Sequence, residues 1–186
     1  MSLEIRSLGL DEQRRRRVES SVVNALSICT AGELAGLKYV LIRDSSSLSS
    51  MERKERVRSR GGLVNKKRIV GLYRHATRRE PAGLELFIDK IFSSYPGWFF
   101  SLEALRTLFL AKVLFHEVGH HLQATRRVKG NPEKVADSFR DDLMKRLGRS
   151  RYRWLIWIRW PLRWIARLLR ALFLSERGVE GEKSKS

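Results

Sequence analysis

The chain has 186 residues, of which 42% are hydrophobic, enough for one compact domain with a buried core. It carries a formal net charge of +18 at pH 7 and a single cysteine, Cys29. One cysteine excludes an internal disulfide and a structural zinc site built from paired cysteines, and it suits a reducing, cytoplasmic location. A surface this basic attracts polyanions, either nucleic acid or anionic lipid head groups.

The first half of the chain predicts one helix followed by three strands. Residues 11–28 place their apolar side chains on one helical face. Residues 37–43, 68–74 and 84–90 are rich in branched and aromatic side chains or alternate apolar with polar residues, which is typical of strands. Residues 45–67 are polar, charged and interrupted by glycine, which predicts a long mobile loop.

Two helices are predicted to follow the strands. Residues 102–123 are apolar on nearly every side, so this helix should be central, with Ser101 as its N-cap. Asn131 as cap, Pro132 in the first turn and Gly148 as the stop bracket the next helix. The order helix, three strands, helix, helix predicts an α+β domain.

The first of these helices contains the stretch VLFHEVGHHL, which holds three of the chain's four histidines. His116 and His120 are four residues apart, so they lie on one face of a helix and can bind one metal ion together. Glu117 is placed to take a proton from an activated water rather than to bind the metal. The pattern H-E-x-x-H is that of zinc-dependent peptidases. On a buried helix, where unpaired imidazoles are costly, it favours a metal site over histidines that happen to face water.

A catalytic zinc ion needs a third protein ligand. The longer motif H-E-x-x-H-x-x-G-x-x-H fails, because Gln123 stands where its glycine would be and no histidine follows His121. His75 is an upstream alternative beside a strand. Glu133 is the better candidate, since the first turn of a helix stabilises an ionised carboxylate.

Other polar residues near the motif have open roles. Asp137, one turn after Glu133, can accept the second ring proton of a ligand histidine. In the alternative interpretation, Glu133 only caps its helix and Asp137 is solvated. His121 points away from the metal face and would be a neighbour or a substrate contact. Tyr73 or His75 would stabilise an oxyanion, or they are ordinary surface residues.

The stretch HEVGHH, followed by EKVAD, resembles the glutamate-type zincins, whose pattern is H-E-x-x-H and then E-x-x-x-D. Within them, the small intracellular ImmA/IrrE-like metallopeptidases are the most similar, over residues 11–148. The resemblance implies His116, His120 and Glu133 as zinc ligands and Glu117 as the catalytic base. It also implies a zincin-like domain with a three-stranded sheet, an active-site helix and a following helix that carries the third ligand.

The implied activity is that of a zinc-dependent endopeptidase acting on a protein substrate. Some members of the family cleave helix-turn-helix repressors, so a transcriptional repressor is one expected partner. The chain departs from the family pattern in two respects. The spacing between His120 and Glu133 is short, and a basic C-terminal segment is added.

That segment, residues 151–174, reads RYRWLIWIRWPLRWIARLLRALFL. On a helix, four of its arginines form a narrow arc, leucine and isoleucine cover the opposite side, and tryptophans gather at the edge. The arginines argue against a transmembrane span. The pattern is typical of a helix in the plane of an anionic membrane surface. The alternative is that its apolar face completes the core, and nucleic-acid binding is less favoured because the tryptophans belong to the apolar side.

The sequence thus predicts a zincin-like domain over residues 1–150, an amphipathic helical segment over 151–175 and a disordered tail over 176–186. The expected location is the cytoplasm, with peripheral association at the inner face of the membrane. The competing function is a non-catalytic basic protein that associates with a membrane surface or with nucleic acid. Glu117 discriminates between the two, because a purely structural metal site has no need of a base beside its ligand.

Overall fold

A computed structural model of the chain describes residues 3–59, 62–78 and 80–153. The predicted amphipathic segment lies outside these residues from position 154 onward, and so does the predicted tail over 176–186. The chain divides into two compact units, residues 1–147 and residues 148–186, and the candidate site lies in the first. The α+β class is confirmed, since helices accompany a mixed four-stranded sheet and a two-stranded sheet.

The strands and helices follow one another along the chain in this order: β1 (Glu4–Leu8), α1 (Glu12–Leu26), β2 (Leu37–Arg43), α2 (Ser50–Lys54), β3 (Arg56–Ser59), β4 (Gly62–Asn65), β5 (Gly71–Arg74), β6 (Ala82–Phe87), α3 (Ile88–Phe92), α4 (Gly97–Ser101), α5 (Glu103–Arg126) and α6 (Pro132–Arg151). Short 3-10 turns at Ser45–Ser47 and Lys66–Arg68 precede α2 and β5.

The main sheet has the strand order β1-β2-β6-β5, so the predicted three-stranded sheet is wrong by one strand. The strands β1, β2 and β6 are parallel, and β5 pairs antiparallel with β6 at the edge. The unpredicted strand is β1, a short edge strand with no fully buried residue. Because its own side chains carry little apolar signal, its structure depends on pairing with β2, which a local pattern does not reveal.

The described part of residues 45–67 forms secondary structure, so the prediction of a loop is wrong there. Ser49 and Glu52 form a capping box that starts α2, and β3 and β4 form a hairpin. Lys66 anchors this insertion, since its side chain is fully buried and its Nζ lies 2.9 Å from the Glu85 carboxylate. An apolar cluster lies beneath the insertion and consists of Leu48, Val57, Val64, Ile69, Leu72 and Phe87. Charge pairing and this small cluster order a segment whose composition suggested a loop.

Several predicted boundaries shift for physical reasons. The strand predicted at 84–90 ends at Phe87, and a short helix follows. Ser101 does not cap α5, because it ends α4 and Leu102 takes the cap position. Gly148 does not stop α6, which continues to Arg151. A glycine ends a helix when it adopts positive φ, and Gly148 does not.

The long helix α5 is central, as predicted, and it packs against α1, β5 and β6. The predicted inward face of α1 is buried, namely Val18, Val22, Ala25 and Leu26. Asn131 caps α6 as predicted, because its side-chain oxygen accepts from the Glu133 backbone N–H at 3.0 Å. Among the helices that the structure describes, none is both long and apolar enough to cross a membrane.

Candidate metal centre

Three side chains from α5 and α6 converge at one point. His116 and His120 project from successive turns of α5, and Glu133 projects from the first turn of α6. One ligand atom from each lies within 4.8 Å of the other two. Their side chains are 17%, 21% and 31% exposed respectively, so the cluster opens to solvent on one side.

The spacing of the donor atoms suits a tetrahedral metal ion. The two histidine Nε2 atoms are 3.2 Å apart. Glu133 places Oε2 at 3.4 Å from Nε2 of His116 and Oε1 at 3.7 Å from Nε2 of His120. Ligand atoms about 2.0–2.1 Å from a tetrahedral ion lie about 3.3 Å from one another. Two imidazoles and a carboxylate, arranged in this way, therefore fit zinc by both geometry and donor type.

Glu117 lies beside this cluster and faces strand β5. It is only 7% exposed. The pKa of its carboxyl is raised to about 8, chiefly by burial. A hydrogen bond from the Tyr73 backbone N–H lowers this pKa, and the negative charge of Glu133 raises it. Gly71 makes room for it, since a Cβ at that position would lie 2.7 Å from its Oε1. Glu117 is thus held by the edge strand in a dry position, where its ionised form is a stronger base than an exposed glutamate.

Asp137 approaches His116 from the other side. Its Oδ1 lies 3.0 Å from Nδ1 of His116, a close polar contact whose geometry is not that of a hydrogen bond, while Nε2 faces the cluster. Arg140, one turn further along α6, donates from Nη1 to the same oxygen at 2.6 Å. A carboxylate that is itself fixed by a guanidinium lies here where it can orient the imidazole of a metal ligand.

Comparisons with family models, with curated proteins and with solved structures found no match for this chain.

Helix α6 approaches the histidines closely because α5 has a glycine, Gly119, at the point of contact. A Cβ at Gly119 would lie 2.6 Å from the carbonyl oxygen of Ala136 and 2.7 Å from its Cα. The two helix backbones therefore touch at the turn that separates His116 from His120. Arg127 turns the chain between the helices with a left-handed φ of 51°. Close contact and a short turn together place Glu133 opposite the histidine pair.

His121 is a structural residue and not a substrate contact, because it is 1% exposed. Its Nε2 lies 2.9 Å from the carbonyl oxygen of Ala35, and its Nδ1 lies 3.3 Å from the Tyr73 hydroxyl. This is the pattern of a neutral imidazole that donates to Ala35 and accepts from Tyr73. Burial also lowers the pKa of His121. The side chain fixes the rotation of α5 against the sheet.

His75 is not part of the metal-binding cluster among the described residues. It is exposed and packs edge-on against Tyr73, with ring centroids 4.6 Å apart. Its charge lowers the pKa of His120, although burial and the neighbouring His116 have larger effects. His75 is therefore an exposed neighbour of Tyr73, while the Tyr73 hydroxyl is engaged by His121.

Sequence reasoning missed three residues that shape the site: Gly71, Gly119 and Arg140. Gly71 and Gly119 act by lacking a side chain, and only the approach of a distant segment reveals that. Arg140 carried a usable signal, because it follows Asp137 by three residues on the same helix, where opposite charges pair.

Proposed function

We propose that the chain is a zinc-dependent metallopeptidase of the glutamate-type zincin group, similar to the ImmA/IrrE-like enzymes. The observation that carries the proposal is the convergence of His116, His120 and Glu133 beside the buried carboxyl of Glu117. Two imidazoles and one carboxylate leave one position of a tetrahedral zinc ion open, as catalytic sites require. Asp137 would hold His116 in the orientation that ligation needs.

Bound zinc supplies Lewis-acid activation of water and of a peptide carbonyl. Glu117 would accept the proton of the attacking water at its carboxylate and pass it to the nitrogen of the leaving amine. The Tyr73 backbone N–H, which donates to Glu117, would keep that carboxylate pointed at the site. Within the described sheet, β5 pairs only with β6, so the backbone groups on its outer edge that Glu117 does not occupy are available to an extended peptide.

The competing function, a non-catalytic basic protein, explains this site less well. Such a protein gains nothing from a buried glutamate between two histidines, and burying that glutamate costs free energy. Zincs with purely structural roles are also usually enclosed by four protein ligands. The partially exposed three-residue cluster favours the enzyme.

We further propose a protein substrate in the cytoplasm, with a transcriptional repressor as the candidate that the family resemblance supplies. Peripheral association with the inner face of the membrane is proposed for residues 151–174, on the strength of their arginine arc and tryptophan edge. Nucleic acid is the less favoured partner of that segment.

Metal content tests the ligand set. Full-length protein should contain one zinc per chain, and Glu133→Ala should lose most of it. Asp142→Ala is the matched control, because this carboxylate lies on the same helix with 68% of its side chain exposed and pairs only peripherally, 3.5 Å from Arg146. If Glu133→Ala binds zinc with the affinity of the wild type, Glu133 is not a zinc ligand.

Catalysis is tested with Glu117→Gln, which keeps the shape of the side chain but cannot accept a proton. This variant should retain zinc and lose peptide cleavage, whereas Glu103→Gln at the start of the same helix should retain both. A Glu117→Gln protein that cleaves peptides at the wild-type rate would refute the proposed mechanism.

A further inference from the structure

Four aromatic rings, from α4, the residues before it and the N-terminal half of α5, form a cluster. We name it the aromatic shelf, and it consists of Tyr95, Trp98, Phe99 and Phe109. The Tyr95 ring is tilted against Phe109 at 4.3 Å and stacked on Phe99 at 5.4 Å, measured between ring centroids. Trp98 contacts Phe99 at 4.6 Å. Trp98 nevertheless remains 59% exposed and Tyr95 37% exposed, so the rings support one another and still face solvent.

The neighbouring ring of Phe100 differs from the shelf. The Arg14 guanidinium lies 5.3 Å from the Phe100 centroid, and Arg106 lies 5.6 Å from it. Phe92 packs edge-on against the same ring at 5.2 Å. Phe100 thus belongs to the contact between α1 and α5, whereas the shelf presents apolar area outward. Tryptophan and tyrosine grouped on a surface in this way are typical of a binding site.

One member of the shelf, Phe109, lies in line with the candidate metal centre along α5. Phe109 precedes His116 by seven residues, so the two lie on the same face of α5, about 10 Å apart along the helix axis. Val113 lies between them and is half-buried. A Cβ on Gly71 would lie 2.7 Å from Val113 and from Glu117 alike, so β5 runs beside this same stretch of α5. Shelf, valine and ligands therefore line one side of α5.

We propose that the aromatic shelf binds a large apolar side chain of the peptide substrate. The inference rests on the proposed peptidase function. An extended peptide advances about 3.3 Å per residue, so a distance of about 10 Å corresponds to a side chain about three residues from the bond that is cleaved. The substrate class is a peptide with an aromatic or large aliphatic residue at that distance, on one side of the cleaved bond. Phe109 sets this distance, and Tyr95, which contacts Phe109, and Trp98, which contacts it through Phe99, supply the exposed part of the same apolar surface.

The test uses zinc-loaded, full-length protein and a mixture of peptides made by digesting denatured cellular proteins. Mass spectrometry of the products gives the residues around each cleaved bond. Wild-type protein should enrich Phe, Tyr, Trp or Leu about three residues from the cleaved bond on one side. Trp98→Ala should reduce that enrichment roughly tenfold, while preferences at the other positions stay unchanged.

Trp98→Phe should restore the enrichment, because it restores an aromatic face. Met51→Ala is the matched control, since Met51 is an apolar side chain with 83% exposure on α2 and should not affect the preference. Zinc-dependent cleavage without apolar enrichment at that distance, or with enrichment that survives Trp98→Ala, overturns the shelf assignment alone. A wild-type chain that holds zinc and cleaves no peptide overturns the peptidase function and this inference with it.

Discussion

Gly119→Ala is expected to weaken metal binding without touching a ligand. The added Cβ would lie 2.6 Å from the Ala136 carbonyl oxygen, whereas ordinary contacts begin at 3.4 Å. The difference of about 0.8 Å must be met by moving α6 away from α5, and α6 carries Glu133. Zinc ligand distances hold to about 0.2 Å, so a shift of this size exceeds the tolerance of the site.

Gly119→Ala should change the free energy of unfolding less than it changes zinc binding, because two contributions to stability oppose each other. Overpacking costs about 1–3 kcal/mol, and replacing a helical glycine by alanine stabilises the helix by about 1 kcal/mol. Gly148→Ala provides the matched control. Apart from adjacent residues and the backbone of α6 itself, no described atom lies within 4 Å of a Cβ there, so the variant should gain about 1 kcal/mol and bind zinc normally.

Zinc affinity is measured by competition with a chromophoric chelator, and stability by urea unfolding of the metal-free chains. Gly119→Ala should bind zinc roughly 10- to 100-fold more weakly than wild type, a loss similar to that seen when groups supporting metal ligands are removed. Wild-type affinity in Gly119→Ala would show that the helix contact does not set the position of Glu133. Equal affinity loss in Gly148→Ala would show a general effect of alanine.

Three further predictions concern the rest of the chain. Burial raises the pKa of the Cys29 thiol to about 12, so native protein at pH 8 should react with a thiol reagent far more slowly than urea-unfolded protein; equal rates would contradict this. Lys66→Met leaves the buried Glu85 with Arg74, 2.8 Å away, as its remaining cation and should lower the free energy of unfolding in urea at pH 7 by about 1–3 kcal/mol; an unchanged free energy of unfolding would contradict the anchoring role. Replacing the arginines of residues 151–174 by glutamine should abolish co-sedimentation with anionic vesicles, because each arginine contributes about 1 kcal/mol to the free energy of membrane binding. Unchanged binding would refute the membrane proposal.

The parts of the fold that could be predicted are those with local signals. Helix α1 follows from its apolar face, and α6 follows from the Asn131 cap and Pro132. The strand β1 and the β3–β4 hairpin could not be predicted, because each depends on pairing partners and on charges elsewhere in the chain. Lys66, for example, is buried because Glu85 lies nineteen positions away in sequence and 2.9 Å away in space.

The candidate site divides in the same way. His116, His120, Glu133 and Asp137 were selected from spacing along two helices, and the structure brings them together. The groups that hold them in place come from distant segments. The Tyr73 N–H that binds Glu117 and the Ala35 carbonyl that binds His121 are backbone atoms. Nearly every residue type carries the same backbone N–H and carbonyl groups, so a sequence pattern does not identify which of them bind these side chains.

The three candidate ligands also lie close together along the chain, between positions 116 and 133. Closing so short a loop costs little entropy, so an unfolded chain can still gather two or three of them around an ion. A metal that binds both the folded and the unfolded chain shifts the equilibrium only by the ratio of the two affinities. Zinc should therefore raise the melting temperature of this protein less than its affinity for the folded chain alone would suggest.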